Sequence, residues 1–528
     1  MPTRTPLEAL LDLAADVMGH DRRTLPADAA GSPFITLGGT LEQAMRLQAR
    51  AEERLRLGLD LSLLLGPVPL ADALARAVPA PAAAPGQRPA PRRRPALPQQ
   101  RAALAARPGL AGYRVLSAEL TGRLDLSALR TALAALGERH EGLRTVFAPS
   151  PTGPVRHVLA ACPVPLLTQP HPAPGGDPVA AAHARLAQDV AGPAGPGPAD
   201  RAGRPPLAFV LTPLAADRVL LSFLYHEAVA DVWSAALVWQ ELLADYGRAV
   251  DGHAPVRTPA PGPDAAAQRA DPASPPAARP EPAAERAARP RDVPGVPPLA
   301  GGAGPAAVDF RGERLPFGLG AGLRDGVDAT ARRAGVPHST VVLAAWVLAL
   351  SRRTGHERLL IGTELPRRPT AALLRTVAPY AAVLPVRCEL EPTTDYFLRG
   401  LACAYSEALA YADAGPAGPA QVTFAAHDEL LPTRIRAGGI TARFHHGHLG
   451  GVTAHAALTL LRWRERPLLA LDFATSSLER SDAVGLAVGT RTALRALALS
   501  RPWTPVDDLL PPPAPARTTG TALPLHGR

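Results

Sequence analysis

The segment from Tyr225 to Ser234 contains several ionisable side chains. It follows a stretch with the pattern of a strand and leads into a stretch with the pattern of a helix. It reads Tyr-His-Glu-Ala-Val-Ala-Asp-Val-Trp-Ser, so one loop holds an imidazole and two carboxyl groups, those of His226, Glu227 and Asp231. Such groups transfer protons or bind charged substrates. A zinc-protease helix would need a second His at the position of Ala230, so the sequence excludes that metal site.

The elements around this run must hold it in place. The apolar stretch from Val219 to Leu224 predicts a buried strand, and the stretch from Ala235 to Tyr246 predicts a helix. Further strands are predicted at Tyr113–Leu120, Phe209–Leu211, Arg358–Thr363, Val383–Glu389, Gln421–Ala425 and Leu468–Ala474. Further helices are predicted at Leu126–His140, Thr340–Arg353 and from Ser481 or Asp482 to Ala498. Strands that alternate with helices in two blocks indicate an α/β fold with two lobes.

Proline-rich stretches divide the chain into blocks. Residues 6–77 have helical periodicity, and residues 78–95 predict an extended linker because proline breaks helices. Residues 96–250 and 307–510 form the two lobes, separated by a proline-rich segment at 251–306. We expect the tail at 511–528 to be disordered.

Composition narrows the classes of function. The 528 residues carry a formal charge of +9, but arginine is scattered among acids and lysine is absent, so we expect no nucleic-acid partner. The three cysteines have no metal-like spacing and predict free thiols in a reducing compartment. Because the sequence has neither a signal-peptide pattern nor a long uncharged apolar run, we expect a cytoplasmic protein without a membrane partner.

The opening run resembles the His-His-x-x-x-Asp-Gly signature of condensation domains of nonribosomal peptide synthetases. Counting back from Asp231 places the first His of that signature on His226 and the second, catalytic His on Glu227. The Gly falls on Val232. Further segments that resemble the family are Arg139 to Phe147, Leu97 to Arg101, Gly362 to Arg368 and Tyr380 to Arg387.

This resemblance implies two lobes, each like chloramphenicol acetyltransferase, in a V with a tunnel between them. It implies carrier domains of other synthetase subunits as partners, with phosphopantetheine on those partners. Asp231 should form a buried ion pair with Arg368, and His226 should orient the loop. Val232 should narrow the acceptor path and disfavour a positive φ. Trp233 and Ser234 complete the motif as structural residues.

The first block resembles a peptidyl carrier domain on the segment from Phe34 to Met45, which reads like Phe-x-x-Leu-Gly-Gly-Asp-Ser-Leu-x-Ala. The Ser that carries phosphopantetheine falls on Leu41, which has no hydroxyl. Thr40 and Gln43 instead form the capping box of a helix start. The block is therefore predicted to be a carrier-like helical unit without a cofactor.

Two hypotheses follow for the function: an acyltransferase that forms an amide or ester, and a non-catalytic platform. Glu227 has either lost any catalytic role, or binds a cationic group, or replaces the catalytic His as a base. Because Leu41 and Glu227 both lack the family's functional residue, we favour a non-catalytic platform that docks carriers or recruits another enzyme. We also expect His445, His446 and His448 to form a solvated strand end rather than a metal site, and Arg434, Arg436 and Arg443 to form a solvated basic surface.

Overall fold

The computed structural model describes most of the chain in side-chain detail. The described residues are 5–79, 93–106, 109–173, 175–191, 204–263, 299, 310–368, 370–410 and 420–510. They fold into an N-terminal helical unit and two α/β lobes, each built on a six-stranded sheet. The tail at 511–528, which we predicted to be disordered, lies outside this range.

The N-terminal unit packs four helices around a small apolar core. Thr5 and Thr40 each cap a helix with a complete capping box, and Gly19 ends the first helix in the left-handed conformation. The core includes the fully buried Leu10 and Phe34. The elements are α1 (Pro6–Met18), α2 (Leu41–Leu55), β1 (Leu57–Gly58), α3 (Leu61–Leu65), α4 (Leu70–Ala75) and β2 (Val78–Pro79), and β1 pairs with β2.

The first lobe places helices on both faces of its sheet. The strand order begins with β14 (Arg434–Ala437) and β15 (Ile440–His446) and continues with β4, β9, β8 and β7. The strand that leads into the motif, β9, is buried on both faces along most of its length, which explains its continuous apolar run. The elements are β3 (Arg93–Pro95), α5 (Pro98–Ala106), β4 (Tyr113–Thr121), α6 (Leu126–Arg139), β5 (Thr145–Ala148), β6 (Val155–Val158), β7 (Leu166–Thr168), α7 (Pro178–Ala191), β8 (Leu207–Ala215), β9 (Arg218–His226) and α8 (Val232–Val250).

The second lobe has the strand order β10-β17-β16-β13-β11-β12. Its central helix, α10 (His338–Thr354), is buried on all sides from Thr340 to Ser351. This burial is expected, because the helix has no polar face to expose to solvent. The elements are β10 (Gly312–Gly318), α9 (Ala321–Ala334), α10 (His338–Thr354), β11 (Arg358–Pro366), α11 (Ala371–Leu374), β12 (Ala381–Glu389), α12 (Thr394–Ala410), β13 (Val422–Ala426), β14 (Arg434–Ala437), β15 (Ile440–His446), β16 (Ala456–Arg462), β17 (Leu468–Ala474) and α13 (Arg480–Leu499).

One hairpin crosses between the lobes. The strands β14 and β15 follow β13 of the second lobe, yet β15 pairs with β4 and extends the sheet of the first lobe. The hairpin therefore lies within the block at 307–510 but contributes its strands to the sheet of the first lobe. Sequence order could not reveal the pairing, because β4 presents an edge that any strand of suitable register can occupy.

Parts of the two predicted linkers are ordered. Both ends of the segment at 78–95 form short strands, since β2 pairs with β1 and β3 pairs with β6. After α8, the Val256 amide donates to Asp245 and the Tyr380 hydroxyl donates to the Pro263 carbonyl, so residues 251–263 pack against both lobes. Residues 80–92 and 264–298 lie outside the described part of the chain.

Within the described residues, no single helix is long and apolar enough to cross a membrane. The helices α9 and α10 would meet the length and composition limits only as a pair, and they are bent by 104° relative to each other.

Candidate functional site

The motif lies where β9 of the first lobe meets α8, at the junction with the second lobe. His226 ends β9 and is buried, with the ring of Tyr113 packed edge-on at 5.0 Å. Its Nδ1 accepts a hydrogen bond from the Ala228 amide at 3.0 Å. The imidazole therefore braces the loop that follows it, as the resemblance implied.

Glu227, which counting from Asp231 matched to the second His of the signature, is held by a guanidinium. Arg114 of β4 places Nη2 2.6 Å from the Glu227 Oε1. The side chain of Glu227 is 15% exposed and that of Arg114 is 37% exposed. The Glu227 amide donates to the Gly112 carbonyl at 2.8 Å, so the backbone is fixed as well. The carboxylate at this position is thus engaged in an ion pair within the first lobe.

Arg114 faces the second lobe. Burial lowers the pKa of its guanidinium, while the charges of Tyr225, Glu364 and Asp472 oppose that shift. Glu364 lies on β11 and Asp472 on β17, so side chains of both lobes surround this guanidinium. The pair of Arg114 and Glu227 therefore belongs to the interlobe junction rather than to the outer surface.

Asp231 and Arg368 form the buried ion pair that the resemblance implied, and it ties the lobes together. The Arg368 Nη2 lies 2.8 and 2.9 Å from the two Asp231 carboxylate oxygens. The carboxylate also accepts from the amides of Ser234, Tyr380 and Ala381. A buried charge is tolerated only when it is paired and hydrogen-bonded, and these contacts meet that condition.

Arg368 is fully buried and donates beyond the carboxylate. It hydrogen-bonds the Ser234 hydroxyl and the carbonyls of Leu373, Thr376 and Ala378. Its guanidinium also lies 5.0 Å from the centre of the Tyr380 ring. These contacts fix the segment after β11 against the start of α8, which gives Ser234 a structural part in the motif.

The residues after Asp231 continue the helix. Val232 is the first residue of α8 and does not have a positive φ, so the branched side chain fits where the family has Gly. Trp233 donates from its indole nitrogen to the Leu374 carbonyl at 3.0 Å and packs against the apolar cluster that the N-terminal unit shares with Leu365, Leu374 and Leu384 of the second lobe. The motif therefore contacts this shared cluster, a contact that sequence reasoning missed.

A second ion pair was also missed, and it lies within the second lobe. Arg314 of β10 binds both carboxylate oxygens of Asp472, its partner on β17, at 2.6 and 2.7 Å. Arg314 also donates to the carbonyls of His446, the last residue of β15, and Gly447, so it contacts the hairpin that joins the sheet of the first lobe. Burial opposes ionisation of Asp472, but Arg314 prevails and lowers the pKa of that carboxyl. The available signal was one acid between Leu471 and Phe473 in an otherwise apolar strand.

The histidine cluster is not the solvated strand end that we predicted. His445, His446 and His448 are half-buried beside the interlobe junction. Burial lowers the pKa of His446 to about 3 and that of His448 to about 4, so both are neutral near pH 7. Among the described residues, no three His, Cys, Asp or Glu side chains form a group that could hold a metal ion. Arg434, Arg436 and Arg443 are exposed, as predicted.

Position 41 lies at the start of α2 and carries no nucleophile. The Thr40 hydroxyl accepts from the Gln43 amide, and the Thr40 amide donates to the Gln43 side chain, so the predicted capping box is present. The Thr40 hydroxyl also donates to the carboxylate of Glu429 in the second lobe. Leu41 is 8% exposed and packs into the interface with that lobe.

Comparisons with known proteins agree with this architecture. The family model described as condensation domain matches residues 113–414. Phosphinothricin tripeptide synthetase PhsC of Streptomyces viridochromogenes is 30% identical over 299 residues, which cover 54% of this chain and 26% of that protein. Chondramide synthase of Chondromyces crocatus is 29% identical over 303 residues, which cover 56% of this chain and 8% of that protein.

A solved structure shows the same fold. The first condensation domain of the calcium-dependent antibiotic synthetase superimposes with a TM-score of 0.66 at 22% identity, over 79% of this chain and 98% of that domain. Since the chain spans only a small part of its curated relatives, their whole activities do not transfer to it directly.

Proposed function

Because the chain belongs to the condensation domain family, we propose that it acts in natural-product biosynthesis as a non-catalytic platform that docks carrier domains or recruits another enzyme. One observation carries this proposal. The position of the family's catalytic His holds Glu227, and the Arg114 guanidinium lies 2.6 Å from its carboxylate. A carboxylate engaged in this way is a poor proton acceptor for an attacking amine, because protonating it would break the ion pair.

The N-terminal unit supports the same function. Its fold has the helical content of a carrier, but the attachment position holds Leu41, which cannot form a phosphodiester. We therefore propose a carrier-shaped adaptor without a cofactor, so that phosphopantetheine comes only with partner carriers. Intact-mass measurement after incubation with a phosphopantetheinyl transferase tests this. An increase in mass that survives Thr40→Ala and Ser32→Ala would show that the attachment point lies elsewhere.

A second candidate is an unconventional condensation enzyme in which Glu227 replaces the imidazole. The ion pair of Asp231 and Arg368 favours this candidate, because it holds the motif loop between the two lobes. Binding two reactants side by side already removes much of the activation barrier of their reaction, and a general base increases the rate by a further factor of about 10² to 10⁴. The two candidates therefore differ in the rate of condensation and not in the architecture of the chain.

A condensation assay distinguishes the two candidates. Donor thioesters and acceptor amines are loaded on partner carriers, and product formation and carrier binding are both measured. The platform predicts binding without turnover, in the wild type and in Glu227→Gln alike. Turnover that disappears in Glu227→Gln would reject it.

The chain offers a matched control in Glu119→Gln. Glu119 lies on β4, is 13% exposed, and pairs with Arg218 at 2.7 Å, so it resembles Glu227 in burial and pairing but lies away from the motif. Loss of turnover in both variants would indicate general destabilisation rather than loss of a base.

A further inference from the structure

The N-terminal unit and the second lobe share one apolar core. Leu365, Leu374 and Leu384 of the second lobe pack into the same cluster as the residues of α1 and α2. Leu41 lines a small pocket with Tyr405 of α12 and Phe424 of β13. The helical unit is therefore seated on the lobe rather than connected to it by a linker alone.

The seated unit lies against one side of the interlobe junction. Tyr405 is close enough to Glu42 of α2 and Glu364 of β11 for both charges to raise the pKa of its hydroxyl, together with burial, which is the largest cause. Glu364 in turn acts on Arg114, the partner of Glu227. Trp233 packs on the apolar cluster that the unit shares with the second lobe, so these contacts connect the start of α2 to the motif.

The contact between the N-terminal unit and the second lobe buries acidic side chains that have few cations beside them. Glu42 is 7% exposed, and the facing groups are Glu429 and Asp428, which follow β13. Arg46 on the same helix is the cation that opposes them, and it also donates to the Glu429 carbonyl at 3.2 Å. Burial, followed by the charges of Glu429 and Asp428, raises the pKa of Glu42 to about 8.

The groups around Glu429 complete the cluster. Burial and the charge of Asp428 raise the pKa of Glu429, against the effects of His338, Thr40 and Arg464. His338 itself is engaged by Asp428, with Nε2 2.9 Å from the carboxylate. The cluster therefore accommodates an uncharged Glu42 much better than an ionised one.

We propose that the N-terminal helical unit is a proton-linked cover on one side of the interlobe junction, seated while Glu42 is protonated and loosened when Glu42 ionises. In the separated unit, Glu42 would have its ordinary pKa of 4.5. The seated form then binds more protons than the open form between pH 4.5 and about 8. Seating therefore weakens as pH rises through this range and levels off above it.

This inference goes beyond the proposed function, because it holds whether or not the junction catalyses a reaction. Opening would expose the pocket around Leu41 and the side of the junction near Glu364 and Tyr405. A carrier could then approach the motif from a side that the chain's own helical unit covers at lower pH.

Hydrogen exchange of the full chain tests the proposal without a carrier. Exchange of segments 41–51 and 338–347 is measured at pH 5.5, 7.0 and 8.5 and corrected for intrinsic rates. We expect the opening equilibrium of both segments to increase at least tenfold from pH 5.5 to 8.5 in the wild type. In Glu42→Gln the increase should be much smaller than in the wild type, because the amide cannot ionise and only Glu429 is left to titrate in the cluster.

Glu53→Gln is the matched control. Glu53 lies on the same helix and pairs with Arg375 at 2.5 Å across the same interface, but its side chain is 44% exposed. This variant should keep the pH dependence of the wild type. Wild-type exchange that does not change with pH, or an equal increase in Glu42→Gln, would overturn the proposal.

A second variant covers the case in which Glu42→Gln fails to fold. Glu429→Gln removes one of the charges that face Glu42, so its increase in opening should be smaller than that of the wild type. An unchanged increase in this variant would also contradict the proposal.

Discussion

Asp231 and Glu227 lie in one loop, and each is paired with an arginine, yet the two carboxylates have different environments. Asp231 reaches across the junction to the fully buried Arg368 and also accepts three backbone amides. Glu227 pairs within its own lobe with Arg114, whose side chain is 37% exposed. The Asp231 contact therefore joins the two lobes, whereas the Glu227 contact stays within the first lobe.

This difference separates the requirements of folding from those of catalysis. A buried charge that loses its partner is costly, so any substitution at Asp231 or Arg368 disrupts the contact between the lobes. The ion pair of Glu227 contributes less, because its partner Arg114 is partly exposed to solvent.

The largest effect is expected from breaking the Asp231 pair. Arg368→Ala leaves the Asp231 carboxylate buried without its cation, and we expect a loss of about 3–5 kcal/mol in the free energy of unfolding. Urea denaturation followed by circular dichroism measures it. A loss below about 1 kcal/mol would show that the lobes are held together mainly by other contacts.

An intermediate effect is expected from the ion pair of Arg314 and Asp472 within the second lobe. Asp472→Asn removes the charge that binds Arg314, so we expect a loss of about 1.5–3 kcal/mol at pH 7. Because Arg314 lowers the pKa of Asp472, the contribution is present above the unfolded value of about 3.9 and is lost as pH falls below it. Unfolding curves of wild type and variant should therefore converge below about pH 3.9.

A difference between wild type and Asp472→Asn that stayed constant down to pH 2.5 would contradict this assignment. It would mean that the variant loses packing rather than an ionic contact.

The smallest effect is expected at Glu227. Glu227→Gln should change the free energy of unfolding by about 0–1 kcal/mol, since its partner Arg114 is more than a third exposed. The same urea titration measures it, beside Glu119→Gln as a control of similar burial. A loss as large as that of Arg368→Ala would remove the contrast between the two carboxylates.

Much of the fold could be predicted from local patterns. The apolar run before the motif predicted β9, and Asp231 proved to be the cap of α8. The capping box at Thr40 and Gln43 likewise depends on residues three positions apart, so it is visible in the sequence. These features are local, and their physical cause lies within a few residues of each other.

Part of the candidate site could not be predicted because its contacts are distant in sequence. Arg114 meets Glu227 only because β4 pairs beside β9, with Tyr113 opposite His226. The histidines at and just after the end of β15 are half-buried rather than solvated because the hairpin crosses to the other lobe. Neither contact is indicated by a pattern of residues close together in the sequence.

The amino-acid sequence alone establishes which groups stand at positions 227 and 41. A carboxyl group aligns with the second His of the signature that the motif resembles, and an aliphatic side chain aligns with the Ser of the carrier-like segment, and no fold can alter the chemistry of these groups. Only the tertiary structure decided what these groups contact, since Glu227 meets Arg114 through strand pairing and Leu41 meets the second lobe through docking of the helical unit. Such contacts depend on long-range packing, which composition and periodicity do not encode.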